Sequence, residues 1–306
     1  MPVIEVKNVV KTYSGINAVD GISFTVNEGE IFGLLGPNGA GKTTTVEMIE
    51  GLRPIDSGQA TLLGFDVSKQ AGDVAESIGV QLQSTAVNDR LTVQETLELF
   101  ASFYEHKTDV HKLITSLNLD EKQHTLAMNL SGGQKQRLAI ALALVNDPLV
   151  VFLDEPTTGL DPQARRSLWE VIKQIKANNK TVMMTTHYME EAEELCDRVA
   201  IMDHGKILDL AHPQELITKY FKEKTIELEL ANGSQKHVQF CTAIPGVESC
   251  HQEENSLTLY TTDSQGVLTA LLATAKEKQI VFKDLRIRSA TLEDVFIKLT
   301  GSKIRE

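Results

Sequence analysis

The stretch GPNGAGKTT, from Gly36 to Thr44, constrains this chain more than any other. It follows the apolar run IFGLL at 31–35 and precedes apolar residues whose spacing suits one face of a helix. A strand, a glycine-rich loop and a helix in this order are the context of a P-loop, because backbone N–H groups then form an anion nest at the positive end of the helix. In such a loop Lys42 would reach the β- and γ-phosphates, and the Thr43 hydroxyl would complete the coordination of Mg²⁺. The alternative is a glycine-rich turn with an unrelated lysine; the context favours a nucleoside triphosphate site.

The bulk composition is that of a soluble globular protein. The chain of 306 residues has room for one large domain or two ordinary ones, with 42% hydrophobic and 24% charged residues. A net charge of -12, from 30 basic against 42 acidic residues, argues against a broad nucleic-acid-binding surface, so we expect no nucleic-acid partner. The chain has no long apolar run, no secretory pattern at its N-terminus and only three scattered cysteines. These features predict a cytoplasmic location.

The N-terminal part is rich in residues that favour strands. We predict strands at 3–9, 22–27 and 59–62, each bounded by turn-forming residues. Tyr13 lies in the polar segment KTYSG, which we expect to be a loop between the first two strands. An aromatic residue in a loop can be a packed anchor or, upstream of a P-loop, a ring that stacks on a base. The sequence leaves both interpretations open.

The middle section contains one segment with a strand pattern, followed by segments with helical patterns. A short buried strand is predicted at 78–83, ending in Gln83. Helical patterns follow over 92–104 and 108–118. We therefore expect a helical subdomain, about residues 86–145, inserted into an α/β core.

A second glycine pair lies near the end of that subdomain. Ser131 can cap the helix that follows, and Gly132 and Gly133 permit close backbone approach at its positive end. This arrangement is either a second anion site, distinct from the P-loop, or a capped turn. Taken alone, the three residues favour the capped turn.

Three polar residues follow buried strands. Asp154 and Glu155 come directly after the apolar run LVVFL, and His187 follows the run TVMMTT. Ligands of open α/β sheets bind at the carboxyl ends of the strands. Asp154 would hold Mg²⁺ beside Thr43, and Glu155 would polarise the attacking water. A histidine in this place is by default a structural residue, but it lies where a γ-phosphate would be.

The pattern of predicted secondary structure changes near Thr225. Short strands, a helix, a further strand and a last helix are predicted there, at 225–230, 236–240, 256–261, 264–277, 280–287 and from 291. This is the pattern of a small α+β domain without a catalytic motif.

Taken in order, these motifs resemble those of the ATP-binding subunit of an ABC transporter over roughly residues 3–215. The resemblance is carried by a Walker A loop (GPNGAGKTT), a Q-loop glutamine (Gln83), a signature (LSGGQ at 130–134), a Walker B strand (LVVFLDEP), a D-loop (Gly159-Leu160-Asp161), a switch histidine (His187) and an aromatic that stacks on adenine (Tyr13).

The resemblance implies an α/β fold: a P-loop NTPase (RecA-like) core with an antiparallel β subdomain and the inserted helical subdomain, over 1–220, and an accessory C-terminal α+β domain, over 221–306. It implies ATP and Mg²⁺ as cofactors, catalytic roles for Lys42, Glu155 and His187, and metal binding by Thr43, Gln83 and Asp154. The nucleotide-binding residues that it implies are Tyr13, Gly36, Pro37, Asn38, Gly39, Ala40, Gly41, Lys42, Thr43, Thr44, Gln83, Ser131, Gly132, Gly133, Gln134 and Asp161.

The resemblance also implies partners. In the family architecture one ATP bridges the P-loop of one copy and the LSGGQ of another, so we expect an ATP-dependent homodimer. The stretch SATLEDVFIKLTG at 289–301 resembles the C-terminal ending of the daunorubicin-resistance type, which pairs with ABC-2-type permeases. That branch exports drugs, antibiotics, peptides or lipids. We therefore expect an ATPase motor on the inner face of the membrane with a separately encoded permease, docked near Gln83 and the helical face 84–106. The alternative is a soluble ABC ATPase with a regulatory or immunity role.

Overall fold

The computed structural model describes residues 1–82, 88–221, 224–230, 241, 243–253, 256–277 and 280–301. These residues fall into two compact units, one built from Met1–Pro213 and the other from Gln214–Lys303. In the first unit the strands are β1 (Pro2–Tyr13), β2 (Ile16–Asn27), β3 (Ile31–Leu35), β4 (Ser57–Leu62), β5 (Phe65–Asp66), β6 (Ile78–Gln81), β7 (Val150–Asp154), β8 (Thr181–Thr186), β9 (Arg198–Asp203) and β10 (Lys206–Ala211). Its helices are α1 (Lys42–Ile49), α2 (Ala71–Ser77), α3 (Val93–Ala101), α4 (Val110–Ser116), α5 (Gly132–Ala143), α6 (Pro162–Ala177) and α7 (Met189–Leu195).

A six-stranded sheet forms the core of the first unit, in the order β10-β9-β3-β8-β7-β6. All neighbouring strands are parallel except for the edge pair of β10 and β9. Strands β3, β7 and β8 are buried at every position, which explains their uninterrupted apolar or Thr-rich sequences. Because β3, β7 and β8 are adjacent and parallel, the residues that follow them meet at one edge of the sheet.

A four-stranded sheet in the order β2-β1-β4-β5 packs beside this core. The rings of Phe24 on β2 and Phe32 on β3 are stacked, with centroids 5.2 Å apart. The prediction that Tyr13 lies in a loop was wrong, because β1 continues to Tyr13, which pairs with Ile16. Only Ser14 and Gly15 form the turn, with φ of 48° and 82°. Such left-handed values suit a tight hairpin between twisted strands.

The helices of the inserted segment are shorter than their sequence patterns. Helix α3 begins at the Thr92 cap, whose side chain exchanges hydrogen bonds with Glu95. It ends at Ala101 rather than at residue 104, because the N–H groups of Phe103 and Tyr104 donate to carbonyls only three residues back. Helix α4 ends at Ser116 rather than at residue 118. The predicted strand end at Gln83 lies outside the described residues.

The second unit is built on an antiparallel sheet in the order β12-β13-β11-β14. Its elements are α8 (Pro213–Tyr220), β11 (Lys224–Leu230), β12 (Ser249–Glu253), β13 (Ser256–Thr261), α9 (Ser264–Glu277), β14 (Phe282–Ser289) and α10 (Leu292–Thr300). Apolar residues of β11, β13 and α9 form its core, among them Ile226, Leu228, Leu259 and Leu271. The strand predicted at 236–240 lies outside the described residues.

An ion-pair cluster holds the first turn of α10. Arg288 donates to both carboxylate oxygens of Asp294, at 2.5 and 3.0 Å, and also pairs with Glu227 on β11. The backbone N–H of Thr291 donates to Asp294 at 2.8 Å, which completes a capping box. Burial alone would raise the pKa of Asp294, but the hydrogen bonds from Arg288 and Thr291 outweigh burial and lower it.

We expect Asp294→Ala to destabilise the second unit by about 1–3 kcal/mol at neutral pH, because it removes a capping box and leaves Arg288 with one carboxylate fewer. Amide hydrogen exchange of β11 and β13 measures this loss. Because the fold lowers the pKa of Asp294, the ionised carboxylate adds to the free energy of unfolding. This contribution is fully present above the ordinary carboxyl pKa and is lost as pH falls through the lowered pKa. The exposed neighbour Glu293 is the matched control. Equal exchange in both variants would contradict the assignment.

Candidate functional site

Within the motif Gly36–Thr44, residues 36–41 form the loop between β3 and α1, and Lys42–Thr44 begin the helix. The Lys42 ammonium donates to the carbonyls of Gly36, at 2.8 Å, and Pro37, at 3.1 Å, so the side chain folds back over the loop. Helix α1 begins at Lys42, directly after Gly41. The lysine and the first N–H groups of α1 therefore lie together at the positive end of the helix.

Two glycines of this loop are required by close backbone contacts. A Cβ atom at Gly36 would lie 2.1 Å from the Met202 carbonyl oxygen. One at Gly41 would lie 2.3 Å from the Ala18 carbonyl oxygen, and Gly41 also has φ of 101°. Any larger residue would push the loop away from β9 or β2. The glycine pattern is therefore a packing requirement as well as a phosphate-binding one.

Asp154, the last residue of β7, faces the start of α1. The Thr43 hydroxyl donates to both of its carboxylate oxygens, at 3.2 and 3.3 Å, and the Thr185 hydroxyl of β8 donates to Oδ1. Burial raises the pKa of Asp154, and the hydrogen bonds from Thr185 and Thr43 partly oppose that rise. A hydroxyl and a carboxylate in contact are the hard oxygen ligands that Mg²⁺ takes, so the predicted pair fits this ion.

Glu155 occupies a strained position between two basic groups. Its φ is 47°, which is uncommon for a residue other than glycine, and its N–H donates to Thr185 Oγ1 at 3.0 Å. Its Oε1 atom lies 3.6 Å from Lys42 Nζ and 3.3 Å from His187 Nδ1. Burial lowers the pKa of Lys42, and the nearby Glu155 carboxylate opposes that change. The structure thus brings together the three predicted catalytic residues.

A cavity of about 430 Å³ lies beside Lys42 and Glu155. The residues that line it include Tyr13, Asn38, Gly39, Lys42, Thr43, Thr44 and Glu155. The Tyr13 ring is 40% exposed, and Arg53 donates to its hydroxyl at 3.0 Å. Arg53 is itself paired with Glu47. An exposed aromatic ring beside a phosphate-binding loop can stack on a nucleotide base. The position of Tyr13 in the cavity lining therefore favours a base-stacking ring over a packed anchor.

Sequence reasoning missed Thr185, Arg53 and Glu50. The Thr185 hydroxyl is hydrogen-bonded to Asp154 and to the N–H of Glu155. In the sequence, the only indication of this role is a hydroxyl residue next to the end of a buried strand. Glu50 is almost fully buried, and burial, with repulsion from Asp154 and Glu47, raises its pKa to about 8. No local pattern marks this residue, because its pKa depends on how α1 packs against the sheet.

The other predicted site residues lie apart from this cavity or outside the described chain. Ser131 caps α5 and shares a capping box with Gln134, and Gly132 and Gly133 form the first turn. Asp161 caps α6, accepting from the N–H groups of Gln163 and Ala164 at 3.0 and 2.9 Å. None of these residues is among the described lining of the P-loop cavity. Gln83 falls in the segment 83–87, which the structure does not describe.

Comparison with known proteins identifies the family. A family model described as ABC transporter matches residues 19–158. The Nod factor export ATP-binding protein I of Ralstonia nicotianae is 36% identical, over 100% of this chain and 96% of that protein. The linearmycin resistance ATP-binding protein of Bacillus subtilis is 34% identical, over 99% of this chain and 100% of that protein. The chain belongs to the ABC transporter family. Its recognition as an ATP-binding subunit of the ABC-2-type exporter branch is confirmed.

Solved structures agree with this assignment. An ABC cassette in its ADP conformation superposes with a TM-score of 0.64 at 24% identity, covering 70% of this chain and 92% of that chain. A dimeric bacterial ABC transporter cassette superposes with a TM-score of 0.61 at 27% identity, covering 68% of this chain and 98% of that chain. The predicted P-loop NTPase fold is confirmed. As a member of the ABC family, this protein is an ATPase that binds ATP. Within the described residues, no helix has the length and apolar character needed to cross a bilayer.

Proposed function

We propose that this ABC ATPase is the motor subunit of an exporter, working as an ATP-dependent homodimer on a separately encoded ABC-2-type permease. The observation that carries the proposal is the assembled Lys42, Glu155 and His187 cluster at the P-loop. Similarity over the full chain to ATP-binding proteins named for export and for resistance supports the direction of transport. The cargo class is a drug, antibiotic, peptide or lipid, and the motor lies on the cytoplasmic face of the membrane.

Each group of the cluster has a distinct role in hydrolysis. Lys42 leaves its carbonyl partners to bind the β- and γ-phosphates. Thr43 and Asp154 would hold Mg²⁺, with the predicted Gln83 as a further ligand, and the ion would supply positive charge at the phosphate oxygens. Glu155 orients the attacking water and accepts its proton, while His187 contacts the γ-phosphate. Because Oε1 of Glu155 lies close to both Lys42 and His187, small movements of those side chains position the base.

The proposed dimer explains why the signature motif is separate from the cavity. Ser131, Gly132 and Gly133 present a helix start that can bind phosphate, yet the described cavity lining includes none of them. A second copy would supply these residues to the γ-phosphate, so that ATP joins two subunits. Solved relatives include dimeric cassettes. Hydrolysis would then release the subunits, giving a two-state switch.

The proposed permease surface is the outer face of α3 together with the turn that directly follows it and contains Phe103. Phe103 is 70% exposed and Leu99 is 44% exposed, and the ring of Phe103 meets the half-buried Phe100 edge to face, with centroids 6.0 Å apart. Exposed aromatic and aliphatic residues next to one another are typical of contacts with a partner protein. Gln83, the Q-loop glutamine that the family resemblance implies, would report nucleotide state to the permease.

We expect Phe103→Asp to abolish recovery of the ATPase with detergent-solubilised permease, because it places a charge at the centre of the apolar contact. ATP hydrolysis by the isolated subunit should stay within about threefold of the parent value, since a surface residue contributes little to stability. Leu272→Asp is the matched control, because Leu272 is 50% exposed in the second unit. A Phe103 variant that still co-purifies would rule out this surface. A parent protein that finds no membrane partner would favour the soluble alternative.

A further inference from the structure

A buried carboxyl group behind the catalytic cluster has no part in the mechanism above. Glu191, on α7, is fully buried. One oxygen accepts a hydrogen bond from the indole N–H of Trp169 on α6, at 3.1 Å. The other, Oε2, makes no hydrogen bond of good geometry in the described structure. A buried carboxyl group with an incomplete set of hydrogen-bond partners lowers stability, which raises the question of what its position contributes to function.

Three separate elements meet at this carboxyl group. The hydroxyls of Thr157 and Thr186, the indole of Trp169 and the charge of Arg165 all act on it. Thr157 is buried and its hydroxyl acts on Glu191, and neither this hydroxyl nor Oε2 of Glu191 has a well-aligned hydrogen bond in the described structure. Burial raises the pKa of Glu191, and its polar neighbours oppose that rise. A neutral carboxyl group can both accept from Trp169 and donate to a threonine.

Two of these elements carry predicted site residues. Thr157 lies two residues beyond Glu155, in the segment that leads to the D-loop residue Asp161. Thr186 directly precedes His187, and its hydroxyl accepts from the N–H of Tyr188 at 3.0 Å, which fixes the turn that holds the histidine. The threonines that act on Glu191 therefore lie in the segment leading to the D-loop and at the switch-histidine turn.

We infer that Glu191 is a positioning residue that links the D-loop, through Thr157, to the turn carrying His187. This inference rests on the proposed dimer, in which His187 serves its own site and Asp161 faces the site across the interface. A movement of the D-loop on one side of Glu191 then shifts the histidine on the other. Glu191 thereby connects the two ATP sites of the dimer without touching nucleotide.

Steady-state ATP hydrolysis by the full chain tests this link. We expect Glu191→Ala to lower kcat by about tenfold or more, since small misplacements of catalytic groups have large effects, while KM for ATP stays within about twofold. Glu191→Gln should recover kcat to within about threefold of the parent value, because the amide also accepts from Trp169 and donates to Thr157. The exposed neighbour Glu190 is the control, and Glu190→Ala should leave kcat unchanged.

A double-mutant cycle separates positioning from general stability. Thr157→Val removes the hydroxyl at nearly constant volume and should reproduce the loss of kcat without a matching fall in Tm. Combined with Glu191→Ala, it should add little further, because both changes break one link. Additive losses, or a Glu191→Ala variant that lowers Tm but not the kcat of its folded fraction, would overturn the inference. If Glu191→Ala does not fold, the inference is tested by the other two variants: Thr157→Val should lower kcat, and Glu191→Gln should keep kcat within about threefold of the parent value.

The proposed dimer has its own readout. Glu155→Gln should form dimers with ATP whatever the behaviour of Glu191. If it forms them while Glu191→Ala and Thr157→Val keep the parent kcat, only the positioning role fails. If it stays monomeric with saturating ATP, the proposed dimer itself fails.

Discussion

Replacing Glu155 with Gln should reduce ATP hydrolysis by at least about 100-fold while ATP affinity stays within about threefold. The amide keeps the shape of the side chain but cannot accept a proton from water. It should still fit between Lys42 and His187, because those contacts, at 3.6 and 3.3 Å, are to a single oxygen. Phosphate release measures the rate, and equilibrium dialysis of labelled ATP measures affinity.

Thr158→Val is the matched control for this substitution. The Thr158 hydroxyl donates to Oε2 of Glu155 at 3.2 Å, so its removal disturbs the same carboxylate without removing the base. We expect hydrolysis to fall by no more than about fivefold, the effect of losing one exposed hydrogen bond. A Gln variant that hydrolysed ATP at the parent rate would show that Glu155 is not the base.

The same Gln variant should accumulate as an ATP-bound dimer. Because binding continues while hydrolysis stops, mass action favours the associated state at saturating ATP. Size-exclusion chromatography with and without ATP measures this shift. The parent protein should show a smaller dimer fraction, since it converts ATP to ADP and releases its partner.

Much of this site could be predicted because its signals are local in sequence. Glycine spacing and Lys42 define the phosphate loop within nine residues, and the acidic pair ends a strand whose apolar run is unmistakable. The parallel order of β3, β7 and β8 then brings the residues that follow them to one edge. Local pattern and sheet topology are together enough to place Lys42, Asp154, Glu155 and His187.

Other features depend on contacts between distant segments and left no local pattern. The pKa of Glu50 rises to about 8 only because α1 buries it near Asp154. Arg53 reaches the hydroxyl of Tyr13 across 40 positions of the chain. The end of β1 was also misjudged, because Lys, Thr, Ser and Gly suggest a loop, whereas the antiparallel partner strand extends pairing to Tyr13. Tertiary pairing outweighs local preference there.

If the proposed dimer shares each ATP between two subunits, two inactive variants should restore each other. Lys42→Ala removes the phosphate-binding ammonium, and Gly133→Asp places a negative charge at the helix start that would face the phosphate. A Cβ at Gly133 would meet only Ala164, at 3.4 Å, so the second variant should fold. Each variant alone should lose at least about 100-fold in hydrolysis.

A heterodimer of the two variants contains one site with both changes and one site with neither. We expect such heterodimers, purified through two different tags, to recover at least about a tenth of parent hydrolysis, because one complete site remains. The control carries both substitutions on one chain and pairs it with a parent chain, so that each site has one defect and hydrolysis stays low. Hydrolysis that is low in the first arrangement and high in the control would mean that each chain completes its own site. A recovery confined to the first arrangement requires that Lys42 of one subunit and Gly133 of the other act on the same ATP.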